Sequence, residues 1–137
     1  MQIDELVETF EFLDNWEDRY RLLIDLGRQL PPFPESARDE EHRVEGCTSQ
    51  VWLTHEIVPG SPTTLRFAAD SDAFIVKGLI AIILMAYSER SAEQIESTDI
   101  EALFRQLGLE QQLSPNRRNG FFAMVERIRD IARSEAA

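Results

Sequence analysis

Hydrophobic positions in the first thirty residues recur at helical spacing. Ile3, Leu6, Val7 and Phe10 share one face with Glu5, Glu8 and Glu11 opposite, which predicts an amphipathic helix over 3–12. Asp14-Asn15-Trp16-Glu17 has the form of a capping box, with Asp14 accepting from first-turn amides and Glu17 reaching back. A second helix carries Trp16, Tyr20, Leu23, Ile24, Leu26 and Leu30, and the phase of Trp16 and Tyr20 assigns both to the core. Pro31 and Pro32 end it, because neither can donate the next backbone hydrogen bond. From Pro31 to His42 the period disappears among three prolines and the charged run Arg38-Asp39-Glu40-Glu41, as in a surface loop.

Beyond Gln50 the period becomes that of a strand. Val51, Leu53 and His55 alternate with Trp52, Thr54 and Glu56; the turn Pro59-Gly60-Ser61-Pro62 leads to a second run, Thr63–Ala68. The two form an antiparallel hairpin, and since a lone hairpin is marginal, a third short strand is expected around Arg43–Glu45. Asp70-Ser71-Asp72 precedes a nearly unbroken apolar run, Ala73–Tyr87. Asp70 or Ser71 is placed to cap it, and the run reads as a central helix laid across the sheet and buried on most sides. Gly78 inside it costs about 1 kcal/mol relative to Ala, which points to a close approach of another backbone.

Two more capping boxes, Ser91-x-x-Gln94 and Thr98-x-x-Glu101, follow; Gly108 is placed to stop the helix holding Leu103, Phe104 and Leu107. Ser114-Pro115 opens a last helix to about Ser134, with Phe121, Phe122, Val125, Ile128 and Ala132 inside. No repeat or linker interrupts the pattern, so residues 1–137 are read as one α+β domain in which a small antiparallel sheet of about three strands is packed by helices.

Composition narrows the functional classes. The net charge of −11 repels phosphate backbones and anionic membranes, which argues against nucleic acid and leaves solubility or a basic protein partner as its use. The longest apolar run contains Lys77 and is shorter than the ~18 residues of a membrane span. Met1-Gln2-Ile3-Asp4-Glu5 lacks the basic start and apolar run of a signal peptide, and a single cysteine makes no internal disulfide. A soluble, cytoplasmic protein is expected.

Chemistry is sparse. His42 and His55 have no partners at metal-ligand spacing, one thiol cannot hold an iron–sulfur cluster, and there is no glycine-rich phosphate loop or nucleophile elbow. No metal or cofactor of its own is expected. Attention falls on Gly46-Cys47-Thr48-Ser49-Gln50, where the only cysteine sits among turn-forming residues and not on an apolar face. Arg38 and Arg43 upstream favour a thiolate there, and Glu45 opposes it. A Cys–His hydrolase would need His42 or His55 as base, yet His55 lies ~26 Å away along an extended chain and no third group is evident. An inert buried cysteine in an acidic adaptor is a further alternative.

Gly46-Cys47-Thr48-Ser49-Gln50-Val51-Trp52, Asp70-Ser71-Asp72-Ala73 and Ile75-Val76-Lys77-Gly78-Leu79-Ile80-Ala81 closely resemble the SufE/CsdE family of sulfur acceptors. Asn15-Trp16, Leu26-Gly27, Leu113-Ser114-Pro115-x-Arg117 and Gly120 extend the resemblance, in order, from about Leu6 to Ile131. It implies a SufE/IscU-like fold. It also implies that Cys47 takes persulfide sulfur from a pyridoxal-phosphate cysteine desulfurase of SufS or CsdA type, stimulates that enzyme, and passes sulfur to a SufBCD-type iron–sulfur scaffold. The chain would then be a carrier and activator, a monomer or weak homodimer, with the pyridoxal phosphate on its partner. Gly46, Gln50, Arg117 and Asp72 are the supporting residues that the resemblance implies, Arg117 as a bridge to the cysteine loop. The modest departures, Thr48 and the acidic Asp39-Glu40-Glu41, leave Suf and Csd pathways equally open.

Overall fold

Glycine decides how the two main helices meet. The computed structural model describes residues 2–45 and 49–136. Helices α1 (Ile3–Phe12) and α2 (Trp16–Arg28) come first, followed by strands β1 (Val51–Val58) and β2 (Thr64–Ser71) and the central helix α3 (Phe74–Tyr87). Three short helices, α4 (Ala92–Ser97), α5 (Ile100–Gln106) and α6 (Leu109–Gln112), lead to the long α7 (Pro115–Ala136). α3 packs on α2 along one side and on β2 and α7 along others. At its crossing with α2, a Cβ on Gly78 would stand 2.3 Å from the Leu23 carbonyl oxygen, and one on Gly27 would stand 2.8 Å from the Gly78 nitrogen. The expected close approach is therefore found, with a glycine on each helix.

β1 and β2 pair antiparallel in the register Val51↔Ser71 to Val58↔Thr64, so β2 runs three residues beyond the expected Ala68. The expected third strand is shorter than a strand. Arg43 bridges Trp52, with the Val44 amide donating to the Val51 carbonyl at 2.9 Å and the Leu53 amide to that of His42 at 2.9 Å. The limb cannot extend toward its N-terminal side because the chain is already turning there, the Arg43 amide donating back to Glu40. The described sheet thus has two strands.

Val51, Leu53, Phe67 and Ala69 face one core with Leu79, Ile80 and Ile83 of α3 and Val125 and Ile128 of α7. Trp16 and Tyr20 are packed against it as expected, Trp16 edge-on to Phe10 and tilted against Tyr20. α3 is buried on most sides as expected, with Phe74 of its first turn the exception at 68% exposed.

Local signals were right in kind and displaced in position. Asn15, not Asp14, caps α2 by accepting from the Asp18 amide at 2.9 Å. Asp99, not Thr98, caps α5, while the Ser91–Gln94 box on α4 forms as read. Neither Asp70 nor Ser71 caps α3; both belong to β2, and the Ser71 hydroxyl accepts from the Ala73 amide one residue before the helix. The 31–42 segment is also less free than its composition suggests, because Phe33 and Ala37 are buried.

Candidate functional site

Gly46 and Cys47 lie outside the described residues, as does Thr48, so the site is built from what surrounds them. The two limbs of the loop are joined at the base by the Val44–Val51 and His42–Leu53 hydrogen bonds. The outgoing limb is then fastened to the far end of β2. The Gln50 amide donates to Asp72 Oδ1 at 3.1 Å, and the Asp72 amide donates to the Gln50 carbonyl at 3.3 Å. Asp72 owes this place to β2 continuing to Ser71, which carries the next residue alongside Gln50. Of the five residues singled out in the sequence, Gln50 and Asp72 are thus in direct contact.

Arg117 approaches from the other direction. The Ser114 hydroxyl accepts the Arg117 amide at 3.3 Å, starting α7 as its Ser-Pro signal predicts and setting Arg117 on the first turn. Arg117, Asn116 and Gly120 of α7 meet Ser49 at the rim of a cavity of ≈ 30 Å³, walled by Val51, Val76, Leu79, Ile80, Ile83, Phe121 and Met124. The space is of the order of one or two water-sized atoms, and its walls are overwhelmingly apolar. Val51 and the α3 residues reach it because the alternation of β1 and the period of α3 turn them inward. Ser49 joins this rim although it is only two residues beyond the cysteine in sequence.

Arg38 was a candidate for stabilising a thiolate, but its charge is engaged elsewhere. Its guanidinium pairs with Asp70 and with Glu35 and lies over the rings of Phe33 and Trp52, at 5.3 and 5.1 Å. Lys77 Nζ stands 3.4 Å from the other Asp70 oxygen. Burial pushes the Asp70 carboxyl up, but the Arg38 hydrogen bond, the Ser71 amide and the Lys77 charge together outweigh it and hold the group below the usual carboxylate range. A carboxylate lowered in this way adds stability that is complete above about pH 4, its unfolded value, and is lost as pH falls through the folded one. Asp70→Asn is therefore expected to lower the melting temperature at pH 7, with the gap to wild type closing below pH 4. Parallel melting curves from pH 7 down to pH 3 would contradict it.

Each histidine has an acidic partner of its own. His55 is half-buried four residues up β1, its Nε2 3.5 Å from Glu135 and its ring against Phe67. His42 does possess an orienting group, invisible in the linear pattern: Asp39 Oδ1 lies 2.7 Å from its Nδ1 and accepts its amide at 3.0 Å. His42 is itself part of the loop base, its carbonyl accepting from the Leu53 amide, and neither it nor Asp39 lines the cavity that Ser49 borders. Among the described residues no three His, Cys, Asp or Glu side chains are grouped to hold a metal, and no helix is long and apolar enough to cross a membrane.

The family model for SufE, described as an Fe-S metabolism associated domain, matches residues 4–132. The chain belongs to the SufE family. An uncharacterized SufE-like protein of Rhizobium etli is 46% identical over 136 residues, which is 98% of this chain and 92% of the relative. A second SufE-like protein, from Rhizobium meliloti, is 44% identical over 131 residues, 95% of this chain and 94% of the relative. The solution structure of a hypothetical protein from Thermus thermophilus superposes with a TM-score of 0.76 at 22% identity, covering 96% of this chain and 93% of that one. At that identity the match speaks for the fold. The SufE resemblance carried by Gly46–Trp52 and the segments after it is borne out over nearly the whole chain, and the SufE family ties the protein to iron–sulfur metabolism.

Proposed function

We propose that this SufE-family protein accepts sulfur on Cys47 from the persulfide of a pyridoxal-phosphate cysteine desulfurase and carries it toward iron–sulfur assembly. The observation behind this reading is that Ser49, two residues from the only cysteine, forms the rim of an apolar cavity. Two residues span at most about 7 Å, so a sulfur on Cys47 is within reach of that shelter.

The chemistry asks little of the acceptor. The Cys47 thiolate attacks the outer sulfur of the desulfurase persulfide. A new S–S bond forms, the S–S bond on the desulfurase breaks, and its cysteine leaves as thiolate. The outer sulfur keeps its proton, and no external oxidant or reductant enters. Relieved of its persulfide, the desulfurase can turn over again, which is how a protein that is not itself an enzyme would stimulate one. Pyridoxal phosphate stays with the partner; this chain needs no cofactor or metal of its own. Apolar walls would keep other thiols from the persulfide, and Arg117 at the rim supplies a cation near an anionic sulfur. Asp72 holds Gln50 and hence the limb that leaves the cysteine. Delivery to a SufBCD-type scaffold in the cytoplasm, by one domain spanning residues 1–137, completes the reading.

Incubation with a cysteine desulfurase and free cysteine should add the mass of one sulfur atom to the intact protein, placed on Cys47 by peptide mapping and removed by a thiol reductant. A mass unchanged after many desulfurase turnovers would sink the proposal.

A further inference from the structure

Successive turns of α7 reach the cavity and the limb that leads into the cysteine segment. Arg117, Gly120 and Met124 line the cavity, and Arg127, three residues further along, reaches across to the limb that leads into the loop. Its Nη2 donates to the Glu41 carbonyl at 2.9 Å and its Nη1 to the Arg43 carbonyl at 3.3 Å. Arg43 is the residue that bridges Trp52, and its neighbour Val44 makes the rung to Val51 at the loop base. The opposite limb is held by Asp72 through Gln50. Both ends are therefore fastened, by different elements.

We propose that Arg127 is a positioning residue for sulfur transfer: its two-carbonyl grip sets the limb that leads to Cys47 against α7, the helix that also lines the cavity. The proposal rests on the sulfur-acceptor reading of Cys47. An arginine suits the task because its planar fork presents several donors in fixed directions and can serve two carbonyls at once, whereas a lysine offers one compact ammonium. Hydrogen bonds from a charged donor are also the stronger kind. Arg133, on the same helix, makes a useful contrast: it is spent on Glu96 and Asp130, exposed carboxylates whose pairing has little structural consequence.

The test compares wild type, Arg127→Met, Arg127→Lys and Arg133→Met in single-turnover transfer from a persulfide-loaded desulfurase, together with alkylation of Cys47 by iodoacetamide. Methionine keeps much of the apolar stem while removing the fork. Arg127→Met is expected to lower the transfer rate at saturating donor about tenfold, since small misplacements of reacting groups are costly, while the half-saturating concentration stays within about twofold. Alkylation should change at least about threefold in the same variant, as the thiol's surroundings change. Arg127→Lys should rescue only part of either, and Arg133→Met should match wild type in both. An Arg127→Met protein that transfers sulfur as fast as Arg133→Met overturns the proposal. If wild type accepts no sulfur at all, the acceptor reading falls, and the alkylation rates still decide whether Arg127 sets the loop. Should Arg127→Met fail to fold by circular dichroism, Arg127→Lys decides on the same two readouts.

Discussion

Cys47→Ser is expected to take up no sulfur from a loaded desulfurase and to leave that enzyme at the rate it shows alone. Serine differs from cysteine by one atom, so folding and docking should persist. Its hydroxyl, however, is almost wholly protonated at neutral pH and is a poor nucleophile toward sulfur, where the exchange step depends on a thiolate. The desulfurase would retain its persulfide and stall. Two readouts are needed, the mass of the variant and the alanine released by the desulfurase with and without it. Full stimulation by Cys47→Ser would refute the carrier mechanism and favour the acidic adaptor, whose cysteine is inert. Turnover of an acyl substrate lost with Cys47→Ser and with His42→Ala would favour the hydrolase, with Asp39 beside His42 as the orienting group.

Gly78→Ala is expected to be the most damaging small substitution in the core. In an ordinary helix interior the change would gain about 1 kcal/mol of propensity. Here the new methyl would stand 2.3 Å from the Leu23 carbonyl oxygen and 2.9 Å from the Leu23 Cβ, so the neighbour that must yield is backbone. The two helices would have to separate where Gly27 and Gly78 meet, opening voids along α3. Overpacking of this kind costs about 1–3 kcal/mol, and the loss of contacts on both helices puts the change at the upper end. A fall in melting temperature of roughly 10 °C is expected for a domain of this size. Calorimetry of Gly78→Ala beside wild type checks it, and an unchanged or raised melting temperature would show that α2 is free to shift.

How far each feature could be read in advance depends on how local its cause is. The amphipathic period of α1 and α2, the alternation of β1 and the Ser91–Gln94 box all arise from residues a few positions apart, and they were legible. Capping was legible only in kind. Asn15 and Asp99 each lie one residue beyond the expected cap, because either neighbour has the right side chain and packing of the helix chooses between them. The third strand was overestimated for a related reason: Arg43–Glu45 pairs with β1 only as far as the turn at Glu40 allows. Phe74 is exposed at the start of α3, and a one-dimensional pattern shows that a helix is apolar, not how far its neighbours extend over its first turn.

The candidate site divides along the same line. A cysteine among turn residues, followed by Ser49-Gln50-Val51-Trp52 and, further on, by Asp70-Ser71-Asp72, was enough by itself to point to the SufE family, since sequence motifs carry that information directly. So were the fold class and the place of Gly78, because a glycine inside an apolar helix needs a close neighbour to explain it. Only the tertiary structure decided what stands around the loop. Gln50 meets Asp72 across 22 residues, Arg38 meets Asp70 across 32, and Arg127 meets Arg43 across 84. Arg38 is thereby committed to Asp70 and Glu35, and Arg127 to the limb that leads into the cysteine segment. The physical reason is common to all three: a charged side chain has many possible partners along a chain, and the folding of strands and helices selects the one that comes within hydrogen-bond distance.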